Sequence, residues 1–522
     1  MQNVVWLMKN KSKLLALLAL LFILIVAADL RLFRVDTVPG WYNDEGTYIN
    51  LAVNLLKGRA EYFGVQGSML FPARMPLFIW LLALVFRIFG TDITVLRILT
   101  GSIGVINTAL IYFIFRNENR PLALVCALAF AIFPKAILYS RLGFSYNLLA
   151  MLALILFWAC NYYLDTGLKR YAIIAALVLG LCLLSELVGV AYIPVFIIVI
   201  LWKRWKDLWF TLPLAFLPFV IYTLAMLWIS PQPYWADLQY VMSRVSSLPL
   251  PAQFVIILLN SGWIHQDLFF LMGVIGIFLY PSFLIKKRLA MFLILPFLII
   301  TRTIGVGRLG WYYLIPLFPF YAIGLGQLIF LSLKALLHFS IDALDEISNR
   351  LPFHLSQIGL RLLHPASNLF FITLFIITPF FLSILFTHIQ IKDSTYKTDL
   401  EPLLADVSEA QAVVNYLNSH SNPEDVILVS PSIGWALKAN AVDYHISLAY
   451  MGLSTTFFPN NVSHNRFRFN PEYAKAKYIV IDNLWKNWGE QNLSDLIMLR
   501  RFAESFRVVF KTSNISIYQI SE

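Results

Sequence analysis

From residue 14 to residue 388, apolar runs close to the ~20 residues that cross a bilayer follow one another with only short polar breaks, and after about residue 391 the polar residues spread evenly. Backbone groups in lipid must find hydrogen-bond partners within their own segment, so such runs are helices. The pattern predicts a polytopic α-helical membrane protein with a small C-terminal α/β domain, divided as 1–390 and 391–522. About 11 spans are expected, at 14–30, 93–115, 122–139, 143–163, two short ones within 171–202 broken near Ser185-Glu186, then 208–229, 267–285, 289–301, 312–333 and 368–388.

Three stretches depart from that rhythm. In the 31–92 loop, Tyr48, Ile49, Ala52, Val53, Leu55 and Leu56 recur at helical spacing up to Gly58, which predicts an amphipathic helix along the membrane interface. A second apolar stretch, 76–89, is short for a span and contains Arg87, so it reads as another interfacial helix with Pro76 in its first turn. The 230–266 loop is rich in Pro and aromatic residues, among them Tyr234, Trp235, Trp263 and His265, and 334–366 reads as a cytosolic amphipathic segment. Beyond residue 391, helices are expected at 403–417 and 493–506, buried strands at 425–430 and 478–482, and edge strands at 507–511 and 515–520.

Composition supports this picture: 59% of the 522 residues are hydrophobic and 13% charged, more apolar side chain than a soluble domain hides. The net charge of +11 invites a nucleic-acid reading, but much of the excess lies in clusters at helix ends, such as Lys169-Arg170, Lys203-Arg204 and Lys286-Lys287-Arg288. The positive-inside rule produces such clusters without nucleic acid, and it orients the chain with a cytosolic N-terminus and an extracytoplasmic C-terminal domain in the plasma membrane. No small-residue cleavage site follows the first run, which is therefore expected to be an uncleaved span. Cys126, Cys160 and Cys182 fall inside apolar runs and suggest neither disulfides nor a thiol metal site. Asn461, Asn492 and Asn514 open glycan-acceptor triplets, short patterns that also arise by chance.

The chemistry gathers around Trp41-Tyr42-Asn43-Asp44-Glu45-Gly46, just past the first span. Moving a sugar onto a hydroxyl requires a carboxylate to take the proton and cations to hold a departing phosphate. Asp44 fits the base and Glu45 an orienting or acceptor-binding neighbour; the competing reading has Asp44 only capping the helix that follows. Arg74, Lys135, Arg141, Arg302 and Arg308 fall on the outer side against the usual bias, and a polyprenyl phosphate is one anion that would match them. Glu186 is costly between two spans unless paired, and holding an arginine in place is its favoured role. His265 has no second ligand at metal spacing. No phosphate-cradling glycine loop or nucleophile elbow appears, which weighs against an ATP-driven pump or a hydrolase.

Asn43-Asp44-Glu45, Arg74-Met75-Pro76, Val95-Leu96-Arg97, Ser140-Arg141 with Tyr146, Ser185-Glu186 and the 311–316 stretch Trp-Tyr-Tyr-Leu-Ile-Pro together resemble the GT-C superfamily, and within it the protein O-mannosyltransferase and aminoarabinose transferase group. The resemblance implies inverting transfer from a polyprenyl-phosphate sugar to a lipid, glycan or protein acceptor on the outer face. It also implies Asp44, with Glu45 beside it, as the catalytic centre, and Arg74, Arg141, Tyr146, Arg302, Arg308 and Tyr312 as candidate substrate ligands. No metal-ligand set is expected, and use of a divalent cation stays open. Relatives often carry His-Pro-Pro or Lys-Pro-Pro where this chain has Arg74-Met75-Pro76, an acidic residue at Tyr146 and Lys at Glu186. Two rivals remain at this point, a transporter or flippase of lipid-linked sugars and a non-catalytic glycan-binding membrane protein. The first would favour internal repeats, which are not evident.

Overall fold

A computed structural model describes residues 2–243, 249, 252, 255, 267–280, 282–304, 310–349, 378–396, 400–453, 455, 458–459 and 462–520. Its membrane part begins with α1 (Gln2–Leu32), followed by α2 (Asn43–Leu56), α3 (Pro76–Phe89), α4 (Ile93–Phe115), α5 (Arg120–Ala131), α6 (Pro134–Arg141), α7 (Tyr146–Thr166), α8 (Lys169–Ser185), α9 (Ile193–Arg204), α10 (Leu208–Ile229) and α11 (Pro231–Ser243). Among the described residues, five helical stretches are long and apolar enough to cross a membrane: Lys13–Leu32, Ile93–Phe115, Tyr146–Thr166, Leu187–Ile229 and Trp311–His338. A bent pair, α5 with α6, makes a sixth if it is one span.

The two helices expected in the 31–92 loop lie where the hydrophobic spacing puts them, as α2 and α3. α2 turns Tyr48, Ile49, Leu51 and Ala52 inward. α3 starts on Pro76, whose fixed φ and missing N–H suit a first turn, and buries Phe78, Ile79, Leu82 and Phe86.

Elsewhere local chemistry reshapes the expected spans. The 122–139 run bends by 56° between α5 and α6, because Pro134 removes an N–H and pushes Phe133 out of the helical region (φ −64, ψ 114). Expected spans 267–285 and 289–301 are instead the helices Leu268–Phe278 and Phe283–Ile304. Lys286, Lys287 and Arg288 thus fall inside a helix rather than between two, with Arg288 paired to Asp165 at 2.7 Å. The 312–333 run begins as the 3-10 turn Trp311–Leu317 and continues as one helix, Phe318–Asn349. The remainder of the 334–366 segment lies outside the described residues, as does the start of the 368–388 run, which continues as Thr378–Lys392. Near Ser185-Glu186 the break is as expected: α8 ends, Glu186 is extended, and a 3-10 turn Leu187–Tyr192 leads into α9.

Small residues let helices approach closely where no side chain could fit. A Cβ on Gly276 would lie 1.7 Å from the Gly324 carbonyl oxygen, so the helices Leu268–Phe278 and Phe318–Asn349 touch backbone to backbone.

The C-terminal part contains a five-stranded mixed sheet of β3 (Val426–Leu428), β4 (Asn440–Val442), β5 (Tyr478–Ile481), β6 (Arg507–Lys511) and β7 (Ser516–Gln519), in the order β4-β3-β5-β7-β6, while β1 (Glu61–Tyr62) and β2 (Val65–Gln66) form a small hairpin in the first loop. β3 pairs parallel with β4 and β5, whereas β7 runs antiparallel between β5 and β6. The 515–520 strand is therefore interior rather than at an edge, which is why Ser516 and Ile517 are buried. Helices Val407–His420 and Ser494–Glu504 pack with the sheet, Val413, Leu417, Leu496 and Leu499 filling its core.

The sheet domain sits on the first loop. Trp41 and Ala405 form a β-bridge, as do Val65 and Phe467. Gly46 faces the turn at Pro431 so tightly that a Cβ there would lie 1.7 Å from the Pro431 oxygen. Arg466 makes two 2.8 Å bonds to buried Asp237 on α11, and Trp41 and Trp435 meet at 5.2 Å.

Candidate active site

α2 carries the most informative residues of the chain, and its first turn separates them. Asp44 is the second helical residue and Tyr42 the cap, so Asp44 does not cap the helix. Glu45 reaches back instead, its Oε2 accepting from the Tyr42 N–H at 3.0 Å. Its oxygens also accept from Arg97 Nε (2.7 Å), Arg97 Nη2 (2.8 Å) and the Gly143 N–H (3.0 Å). Arg97 is fully buried and its remaining donors bind the carbonyls of Val35 (3.0 Å), Pro39 (2.8 Å) and Gly40 (2.8 Å). All five guanidinium N–H groups are engaged. Glu45 and Arg97 thus fix the loop ahead of α2 and are absent from the cavity wall.

Arg141 lies equally deep. Nη1 donates to Leu30 O at 3.0 Å, and Nη2 to the carbonyls of Phe33 (2.9 Å), Arg34 (3.3 Å) and Val38 (2.7 Å). Arg31 holds Ala131 (2.7 Å) and Phe130 (2.9 Å) in the same way. Both arginines cap the carbonyl ends of helices, where a cation is favoured.

Asp44 turns the other way, into a cavity of 360 Å³ between the helices and the sheet domain. Its Oδ2 accepts from Arg74 Nη2 at 2.8 Å; the two side chains keep 19% and 13% of their exposure, enough to meet a ligand. Arg74 follows Ala73, whose φ of 57 lies in the left-handed region, and its guanidinium stacks 4.8 Å from the Tyr48 ring. Glu186, Tyr146, Tyr312 and Tyr313 complete this wall. Tyr48 donates to or accepts from Ser145 at 2.6 Å and lies 3.4 Å from Glu186, whose other partner is the Ser145 hydroxyl. Glu186 occupies the non-helical break between α8 and the 3-10 turn Leu187–Tyr192.

The opposite wall belongs to the C-terminal domain: Asp443, Tyr444, His445, Phe458 and Trp488 line it. Asp443 caps the helix Tyr444–Tyr450, accepting from the His445 N–H at 3.1 Å. Its Oδ2 also accepts from Tyr62 of the first loop at 2.9 Å. Nothing in the residue pattern marks this wall beyond Asp443 as a helix cap.

Of the candidates, the structure brings Asp44, Arg74, Tyr146 and Tyr312 to one cavity and adds Glu186. It places Glu45 and Arg141 behind the wall. Arg302 lies in the last turn of the helix Phe283–Ile304 and is not among the residues that line the cavity, and Lys135 sits over the Trp311 ring at 4.7 Å. Arg308, Trp263, His265 and Asn461 lie outside the described residues. Among the described residues, no group of three or more His, Cys, Asp or Glu is placed to hold a metal ion.

Residues 72–235 match the family described as dolichyl-phosphate-mannose-protein mannosyltransferase. The chain aligns over 98% of its own length and 98% of the other with the crystal structure of ArnT from Cupriavidus metallidurans bound to undecaprenyl phosphate, at 14% identity and a TM-score of 0.61. The chain therefore shares the fold of the ArnT structure. The apo ArnT structure from the same organism gives a TM-score of 0.58 at 14% identity and the same coverage. The oligosaccharyltransferase of Archaeoglobus fulgidus, tethered to an acceptor peptide containing the NVT sequon, gives 0.50 at 14% identity, over 97% of this chain and 74% of that one. No curated protein sequence matches the chain.

Proposed function

We propose that the protein transfers a sugar from a polyprenyl-phosphate donor to a hydroxyl of a lipid, glycan or protein acceptor, at the outer face of the plasma membrane and with inversion at the anomeric carbon. The observation that carries this is the Asp44–Arg74 pair on the wall of a cavity between the helices and the sheet domain. Asp44 takes the proton of the acceptor hydroxyl as its oxygen bonds to the anomeric carbon. The anomeric C–O bond breaks in the same displacement, and the polyprenyl phosphate leaves with the electron pair. Arg74, 2.8 Å from Asp44, lies where it can neutralise that phosphate as charge develops. The undecaprenyl phosphate carried by the ArnT structure supports a donor of this class.

Glu45 has no place in the chemical step of this reading; with Arg97 it sets the angle at which Asp44 leaves α2. The test is transfer from a radiolabelled polyprenyl-phosphate sugar by purified Asp44→Asn protein with an unchanged unfolding temperature. Transfer falls by roughly 10²–10⁴-fold, the usual contribution of a positioned base; full activity in the folded variant removes Asp44 from the mechanism.

A further inference from the structure

A cleft of 720 Å³, separate from the cavity at Asp44, opens between the first loop, α11 and the 459–466 loop of the sheet domain. Its volume falls within the ~300–1,000 Å³ usual for small-ligand sites. Gln232, Ala236, Gln239 and Ser243 recur at helical spacing and put one face of α11 along it. The three parts are locked at fixed spacing. Arg466 of the sheet domain makes its two 2.8 Å bonds to buried Asp237 on α11, and its Nε donates to the Gln66 carbonyl at 3.0 Å. Gly67 has a φ of 103, and a Cβ there would lie 2.6 Å from the Pro233 side chain, so the β1–β2 hairpin packs directly on the start of α11.

The chemistry of the cleft excludes most ligand classes. Among the described lining residues the charged ones are Asp237 and Arg466, and each neutralises the other. An anion therefore meets no cation that is not already paired. Nor does the start of α11 serve an anion, because Pro231 and Pro233 lack two of the N–H groups that a helix N-terminus would offer. An extended peptide would seek a strand edge, but β2 is already flanked by β1 and bridged to Phe467.

What the cleft does present is neutral and two-sided. Gln66, Gln232, Gln239 and Asn465 line it as exposed residues, and their side-chain amides take no hydrogen-bond partner among the described residues. Each amide donates through its NH2 and accepts through its oxygen. A sugar hydroxyl is likewise both donor and acceptor, so a row of hydroxyls can pair with all four amides without bringing a charge. Tyr240 adds a ring to the same lining, and ring faces suit the apolar C–H face of a pyranose.

We propose that this cleft is a binding site for a neutral oligosaccharide chain, held by the amides of Gln66, Gln232, Gln239 and Asn465. The site goes beyond the transferase reading and does not depend on it, since none of these residues lines the Asp44 cavity.

The test uses the full-length protein in a phosphocholine detergent, which has no sugar head group to compete. Saturation-transfer difference NMR is recorded with maltohexaose, mannohexaose, cellohexaose and chitohexaose, and with a Gly-Ser hexapeptide and an oligogalacturonate as the uncharged-peptide and anionic alternatives. Wild-type protein and Asp44→Asn give saturation transfer to at least one neutral oligosaccharide. The double variant Gln232→Ala with Gln239→Ala loses it by fivefold or more at an unchanged unfolding temperature, because both side chains are exposed. Ala236→Trp, which fills the cleft from an exposed position on the same helix face, loses it independently of the amides. No transfer to any neutral oligosaccharide, or undiminished transfer in both α11 variants, overturns the site. So does a stronger response to the peptide or to the oligogalacturonate than to every neutral chain, and so does loss in Asp44→Asn, which would put the sugar in the Asp44 cavity. A protein without transferase turnover that still binds oligosaccharide through Gln232 and Gln239 fails the transferase reading and leaves this site standing.

Discussion

The two walls of the cavity are held in place by different physics. On the membrane side, the chain from α1 to α2 is bound by buried arginines: Arg97 ties Glu45 to three carbonyls, and Arg141 gathers the carbonyls at residues 30–38. On the sheet-domain side the buried Arg466–Asp237 pair ties the domain to α11 outside the cavity lining, and the anchors nearer the cavity are carboxylate helix caps and stacked rings, Asp443 under the helix Tyr444–Tyr450 and Asp406 under the helix Val407–His420. A buried ion pair with every donor used is rigid, and it suits the wall to which the proposed mechanism assigns the aimed carboxylate. Caps and ring contacts are weaker and shorter in reach.

That contrast can be broken or sharpened in order of effect. Asp44→Asn and Asp443→Asn compare the two carboxylates directly, since the proposed mechanism gives only the first the acceptor proton. Transfer measured with radiolabelled donor falls roughly 10²–10⁴-fold for Asp44→Asn and much less for Asp443→Asn; equal losses would erase the difference between the walls. Arg97→Met leaves Glu45 buried and unpaired, at about 3–5 kcal/mol, and thermal unfolding of the detergent-solubilised protein reads it. Glu45→Gln in the same chain recovers part of that loss, because the uncompensated charge is gone.

Gly46→Ala probes the seam between the walls. The added methyl meets backbone at Pro431 rather than a movable side chain, so it separates α2 from the sheet domain at about 1–3 kcal/mol. Limited proteolysis between residues 393 and 406 would register the loosened contact as faster cleavage. The smallest effect belongs to Asp406→Ala. Its carboxylate accepts from the N–H groups of Ser408 (2.9 Å) and Glu409 (3.1 Å), so loss costs about 1 kcal/mol. Faster hydrogen exchange in Val407–His420, with α2 unchanged, would confine the damage to the sheet domain.

Much of the architecture is legible along the chain because it rests on local periodicity. Apolar runs mark the spans, the 3.6-residue spacing marks α2, and Pro76 fixes the start of α3. Strands β3 and β5 show as short apolar runs. The elements that escape are those whose signal is not local. β4 is three residues long and has no pattern of its own, taking its place through pairing with β3. The interior position of β7 follows from its two partners, not from its composition. The Pro134 bend hides inside a run that is apolar throughout.

The site divides along the same line. The residues from 41 to 46 identify a carboxylate beside a membrane helix, and the chemistry of moving a sugar singles out Asp44, because one-dimensional spacing is enough to place a carboxylate at a helix start. Spacing cannot say which of two neighbouring carboxylates faces the cavity. Consecutive residues on a helix point about 100° apart, so the packing of Arg97 and Gly143 around Glu45, and of Arg74 beside Asp44, settles the matter. Nor can spacing join residue 44 to residues 443–445, nearly four hundred positions away. That wall exists only because Gly46 lets α2 close against the sheet domain and Tyr62 reaches Asp443, contacts created by folding and written nowhere in the local pattern.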